Sequence, residues 1–200
     1  MILKNLNYPL DFKFKISTLS SDFNITDVHG NYVCYVRQKL FKLKENVVIF
    51  SDESRTKELY TVNANQWIDF NASYTMREAS GNPVGTLARK GMRSFWKSTY
   101  DVLDLNKRPL FQITERNAWT KFLDGFVGEI PVIGMFTGYF LNPVYDVKDT
   151  TDRLIFELKK MPSFFGRRFQ LERKVDIADE HETLVVLSLL MMVLLERERG

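Results

Sequence analysis

The run LVVLSLLMMVLL, residues 184–195, constrains this chain more than any other stretch. It carries no charge and a single hydroxyl, Ser188. As a helix, those residues rise about 18 Å. A bilayer's hydrocarbon core is about 30 Å thick and takes on the order of 20 apolar residues to cross, so the run is too short to span. Leu and Met dominate it, which favours helix over strand. Asp179, Glu180 and Glu182 precede it and Arg197 and Arg199 follow it, the charge order that suits a helix dipole. Asp179 with Glu182 reads as a D-x-x-E capping box. No polar stripe breaks the apolar surface, and a helix hydrophobic all round must be enclosed. An interfacial or tail-anchored helix is the competing reading. The expectation is a buried helix over about 180–198.

The rest of the chain must supply the enclosure, and most of it alternates with the period of two expected of strands with one buried face. The segments FNITDVHGNYVCYVRQK (23–39), YTMREASGNPVGTLARK (74–90), YDVLDLNKRPLFQITER (100–116) and YDVKDTTDRLIFELKK (145–160) repeat one plan. An aromatic (Phe23, Tyr74, Tyr100, Tyr145) is followed two residues on by Ile25, Met76, Val102 or Val147. Two further on stands an acid, Asp27, Glu78, Asp104 or Asp149, beside a polar turn. The turns HGN, SGNP and NKRP carry the expected punctuation. Residues 47–65 read as one more hairpin. The acids recur at equivalent positions, which points to a structural task such as accepting backbone hydrogen bonds in the turn.

Successive antiparallel hairpins suggest a sandwich or a barrel. A sandwich core about 10 Å thick leaves no room for a helix of similar diameter. A closed barrel of roughly a dozen strands has that room and removes the exposed edges. The expected fold is therefore mainly β, a closed antiparallel barrel enclosing the hydrophobic helix. Trp119, Phe122, Leu123, Phe126 and Val127 form the stripe of a short amphipathic helix, about 118–129, stopped by Pro131. VIGMFTGYFLNP (132–143) reads as a buried strand, and a membrane-dipping loop is the alternative for this stretch. No linker or low-complexity tract divides the chain, so residues 1–200 are expected to form one domain.

The hairpins and the uncharged helix that follows them resemble the tubby-like superfamily, and within it the LURP-one-related family, a relative of the phospholipid scramblases. The resemblance is carried by FNITDVHGNYVCYVRQKLFKLKENVVIF, VGTLARKGMRSFWKSTYDVLD, TGYFLNPVYDV and LSLLMMVLLERERG, from about residue 12 onward. It implies a barrel of about twelve strands threaded by the helix. It also implies binding of phosphoinositides or other anionic lipids. The proline-rich, cysteine-rich and calcium-binding segments of scramblases are missing from this sequence, and scramblase activity is not expected.

The strongest binding candidate is ARKGMRSFWKSTY, residues 88–100. Arg89, Lys90, Arg93 and Lys97 surround Phe95 and Trp96, a pattern in which cations meet lipid phosphates while an aromatic settles at the headgroup level. The candidate headgroup-binding set is Arg89, Lys90, Arg93, Trp96 and Lys97. Further basic connections follow other hairpins, RQKLFKLK (37–44) and GRR (166–168). Pseudo-symmetry is expected to gather them at one rim. The bland alternative is an ordinary solvated connection with its aromatic folded inward.

Chemistry of other kinds finds little footing. His29, His181 and Cys34 share no metal-ligand spacing, and Cys34 suits a packed side chain better than a nucleophile. P-loop, GxSxG and GxGxxG patterns are absent from the sequence. Neither an enzyme nor a metal or other cofactor is expected. The formal charge of +3 is mild, and with no nucleic-acid motif a nucleic-acid partner is not favoured. One cysteine permits no internal disulfide, and the opening MILKNLNYPLDFKFKIS is not a secretory signal. The expected location is cytoplasmic, with peripheral contact at a membrane and no transmembrane span. The expected role is a non-catalytic module for anionic phospholipid or phosphoinositide headgroups, against the rival of a protein-interaction scaffold that binds no lipid.

Overall fold

The computed structural model describes residue 3 and residues 6–15, 22–38, 46–65, 72–90, 99–116, 143–162 and 168–197. Twelve strands are found there: β1 (Leu10–Phe14), β2 (Phe23–Thr26), β3 (Tyr32–Gln38), β4 (Asn46–Phe50), β5 (Glu58–Ala64), β6 (Ser73–Glu78), β7 (Pro83–Arg89), β8 (Thr99–Leu103), β9 (Pro109–Glu115), β10 (Val144–Asp149), β11 (Leu154–Met161) and β12 (Arg168–Arg173). Helix α1 (Asp179–Arg197) follows them. Each strand pairs antiparallel with its neighbours in sequence, and β1 pairs with β12 to close the barrel. The expected short helix at 118–129 and strand at 132–143 fall almost entirely outside the described residues.

Alternation sorts the residues as the sequence predicts. Phe23, Ile25, Met76, Tyr100, Val102 and Val147 are fully buried, and Tyr74 and Tyr145 nearly so. Residues 184–195 are buried on every side, and among the described residues no helix is long and apolar enough to cross a membrane. Burying a Leu, Val or Met side chain stabilises by roughly 1.5–3 kcal/mol, so the uncharged run is the main filling of the barrel. Its one hydroxyl is satisfied locally, Ser188 Oγ donating to the Leu184 carbonyl at 2.8 Å.

The helix lies off centre, approaching β7 and β8 most closely. Gly85 on β7 permits this: a Cβ there would stand 2.6 Å from Leu184 Cδ1 and 2.8 Å from the Leu103 carbonyl oxygen. The remaining space is filled by rings. Phe14 packs on Phe23 with centroids 4.6 Å apart, and Phe12 stacks on Phe23 at 6.1 Å.

The turn acids hold the hairpin tips. Asp27 Oδ1 accepts from the backbone N–H groups of His29 and Asn31 at 2.9 and 2.8 Å. Asp104 Oδ1 does the same for Asn106 and Arg108, and Asp149 Oδ1 for Thr151 and Arg153. Glu78, one methylene longer, takes side-chain donors instead, Ser80 Oγ and Asn82 Nδ2. Just before each tip the register slips by one residue, as at Ile25/Thr26 and Val102/Leu103. The loop then uses one left-handed residue, Gly30, Gly81, Lys107 or Asp152, as three-residue hairpins with a type I turn require.

One local expectation is corrected. The first helical bond runs from Glu182 N to the Ala178 carbonyl at 2.9 Å, so Ala178 stands at the cap position and the D-x-x-E box is not formed. Glu182 turns into the barrel wall instead, accepting from Arg173 Nη1 at 2.8 Å. A buried carboxylate needs a cation more than a surface cap needs a carboxylate.

Candidate functional site

An up-and-down barrel has two unlike ends. The hairpin tips at Asp27, Glu78, Asp104 and Asp149, the end of β12 and the start of α1 share one of them. The other end receives the connections that join β1 to β2, β3 to β4, β5 to β6, β7 to β8, β9 to β10 and β11 to β12. All three basic connections, 37–44, 88–100 and 166–168, therefore meet the barrel at that second end.

Of the five headgroup candidates, Arg89 and Lys90 are among the described residues; Arg93, Trp96 and Lys97 lie outside them. The two described cations occupy opposite faces of the wall. Arg89 closes β7 in phase with buried Gly85 and Leu87 and pairs across to Tyr100, so it faces inward at the rim. Lys90 faces outward, its Nζ 3.0 Å from Asp101 Oδ2 with 55% of its side chain exposed. Asp101 is shared, accepting from Gln112 Nε2 at 3.0 Å. Ion pairs this exposed contribute little, about 0–1 kcal/mol, so Lys90 can exchange its carboxylate for another anion at small cost. Arg168, from the third basic connection, is more firmly held, gripping Asp11 of β1 with three hydrogen bonds of 2.7–3.1 Å.

The tip end carries a cavity of about 470 Å³, lined by Leu6, Tyr8, Val28, His29, Arg173 and Asp176 among others. Arg173 dominates it, lying 4.8 Å over the Tyr8 ring. Its Nη1 donates to Glu182, and its Nε lies 3.1 Å from Asp176 Oδ1. Burial, with the Glu182 charge beside it, pushes the Tyr8 phenol well above the usual range. Two carboxylates already balance this one guanidinium, and Lys174, which also lines the cavity, pairs with Glu157 and Glu172. Sequence reasoning missed this cluster because its members come from three distant segments.

The metal-ligating residue types stay apart. His29 sits on a hairpin tip, Cys34 is fully buried, and His181 packs edge-on against Phe111 at 5.8 Å. Among the described residues no three His, Cys, Asp or Glu side chains converge to hold a metal. Burial pushes the Cys34 thiol up to about 12, which makes it a core side chain and a poor nucleophile.

A family profile described as LURP-one-related matches residues 32–193, from β3 to the last turns of α1. The chain belongs to the LURP-one-related family. Among solved structures, an X-ray structure of an Arabidopsis thaliana protein aligns over 96% of this chain and 98% of its own, with a TM-score of 0.49 and 16% sequence identity. No curated protein shows significant similarity. The family match omits β1, which closes this LURP-one-related barrel against β12, and β2, the other neighbour of β1.

Proposed function

We propose that this LURP-one-related protein is a non-catalytic binding module for anionic phospholipid headgroups, phosphoinositides above all, working peripherally at a membrane surface. The observation that supports the reading most is the shared end of the barrel, to which the connections at 37–44, 88–100 and 166–168 all belong. Arg89, Lys90, Arg93 and Lys97 supply the charge and Trp96 the interfacial ring. Each cation near an anionic surface contributes roughly 1 kcal/mol. Replacing all four by alanine is therefore expected to weaken binding by about two to three orders of magnitude at low salt. Sedimentation with phosphoinositide-containing vesicles measures this. Absent binding, or binding unchanged in the alanine variant, ends the assignment of these residues. A stoichiometric protein partner without vesicle association would instead favour an interaction scaffold. Val28 and Leu105, 52% and 61% exposed at hairpin tips, are natural contacts for such a partner.

A further inference from the structure

The cavity at the tip end is walled by three segments that are distant in sequence. Leu6, Asn7 and Tyr8 make one wall, Val28 and His29 of the β2–β3 tip another, and residues 173–176 the third. Each wall is tied down by bonds of its own. Asn7 Nδ2 donates to Asp27 Oδ2 at 3.2 Å, and the Asn7 carbonyl accepts from Val28 N at the same distance. Leu6 is part of the core, and the Tyr8 ring lies 5.7 Å from that of Phe156. Lys174 N and Val175 N both donate to the Ile155 carbonyl, at 2.8 and 3.4 Å. At about 470 Å³ the space falls within the range of about 300–1,000 Å³ that small-molecule pockets occupy.

The Arg173 guanidinium is presented to this space with most of its donors unspent. It carries five N–H groups, yet among the described residues its one hydrogen bond runs from Nη1 to Glu182. That bond to a buried carboxylate and the Tyr8 ring 4.8 Å away together fix the plane of the group. The edge made by Nε and Nη2 is the one that grips a carboxylate through two parallel bonds. Here it meets only Asp176, which stands 3.1 Å from Nε with 87% of its side chain exposed. An ion pair so exposed holds weakly. A second carboxylate can therefore take the edge while Asp176 swings into water, and the charge beside Arg173 stays the same. The exposed His29 ring, which makes no hydrogen bond among the described residues, offers one more donor. Leu6, Val28 and Val175 supply apolar wall.

We propose that the tip-end cavity binds a small organic carboxylate, which takes the Nε–Nη2 edge of Arg173 in place of Asp176 and lays its apolar body against Leu6, Val28 and Val175. One fork on offer suits a monoanion, and Lys174 is already engaged by Glu157 and Glu172. The site lies at the opposite end of the barrel from the basic connections, so it stands independently of headgroup binding.

The test is an amide NMR titration of the full chain with benzoate, its neutral isostere benzamide, and phenyl phosphate. Benzoate is expected to shift residues 6–8, 28–29 and 173–176 with a Kd of about 1 mM. Benzamide should bind at least about tenfold more weakly, since it brings no charge to the fork. Phenyl phosphate should bind no tighter than benzoate. Asp176→Asn removes the competing carboxylate from an exposed position and should tighten benzoate about two- to fivefold. The control is Asp152→Asn, which removes the same charge from an exposed position on the β10–β11 tip and should leave the affinity unchanged. Arg173→Lys keeps the charge and loses the fork, and should weaken benzoate about tenfold. Should that variant fail to fold, Asp176→Asn decides the matter. Equal affinity for benzoate and benzamide, tighter binding of phenyl phosphate, or equal effects of Asp176→Asn and Asp152→Asn would overturn the proposal, as would a titration that leaves these residues unshifted.

Discussion

Gly85→Ala tests how closely the helix and the wall are fitted. The added methyl carbon would lie 2.6 and 2.9 Å from the two Cδ atoms of Leu184 and 2.8 Å from the Leu103 carbonyl oxygen. Carbon atoms in contact prefer about 3.5–4.0 Å, so something must give by roughly 1 Å. The carbonyl belongs to the neighbouring strand β8 and cannot swing away. Leu184 is 2% exposed in a filled core, so its side chain has little room to turn. Either α1 shifts away from β7 or the wall bulges. Overpacking of this kind costs about 1–3 kcal/mol, and two simultaneous overlaps argue for the upper part of that range. Lost chain entropy in the unfolded state returns about 0.4–1 kcal/mol, leaving a net destabilisation of about 2 kcal/mol. With a urea m-value of about 2–3 kcal/mol/M, the unfolding midpoint should fall by about 0.7–1 M. Leu184→Ala alone should cost about 2–5 kcal/mol, but the double variant should be more stable than the sum of the two. A Gly85→Ala protein within 0.5 kcal/mol of wild type, or strict additivity with Leu184→Ala, would refute this account of the close approach.

Two smaller perturbations address the hairpin tips. Hydrogen bonds, from the Asn31 side chain foremost at Asp27 and the Thr151 side chain at Asp149, hold both carboxyls at about 2, below the ordinary 3.8. Groups depressed in the fold stabilise it above their unfolded value, and that contribution is lost as pH falls from about 4 toward 2. Urea midpoints measured across this window should drop more steeply for wild type than for an Asp27→Asn/Asp149→Asn variant, and parallel curves would contradict the role of these turns. Lys107 sits at φ 61°, in the left-handed region, where a side chain costs about 1–2 kcal/mol. Lys107→Gly should therefore raise stability by about 0.5–1 kcal/mol after the entropy cost of glycine, and a lower melting temperature would contradict it.

Much of the architecture was legible because two strong periodicities coexist in the chain. The alternation from Phe23 to Val147 names its own buried face, and the uncharged run at 184–195 demands an enclosure of matching size. The closing seam was not legible. LDFKF and RFQLER are short and carry charge on their outward positions, and nothing local says that Leu10 will lie opposite Leu171. The Asp11–Arg168 pair that clasps the seam joins residues 157 apart in sequence. The cap shifted by one residue for a similar reason, since Arg173 draws Glu182 away from Asp179. At the candidate site the missed signal was available. Period-two alternation extends one residue past Ala88, which puts adjacent Arg89 and Lys90 on opposite faces before any connection begins.

The all-apolar helix comes after every strand in the order of synthesis. At roughly 5–20 residues per second on the ribosome, the β1 segment waits about ten to forty seconds for the element that fills the cavity it helps enclose. Until then twelve half-greasy ribbons have nothing to wrap. Hydrophobic faces left open for that long favour aggregation, so the nascent barrel is a natural client for chaperones until α1 emerges and the fold can form as a unit.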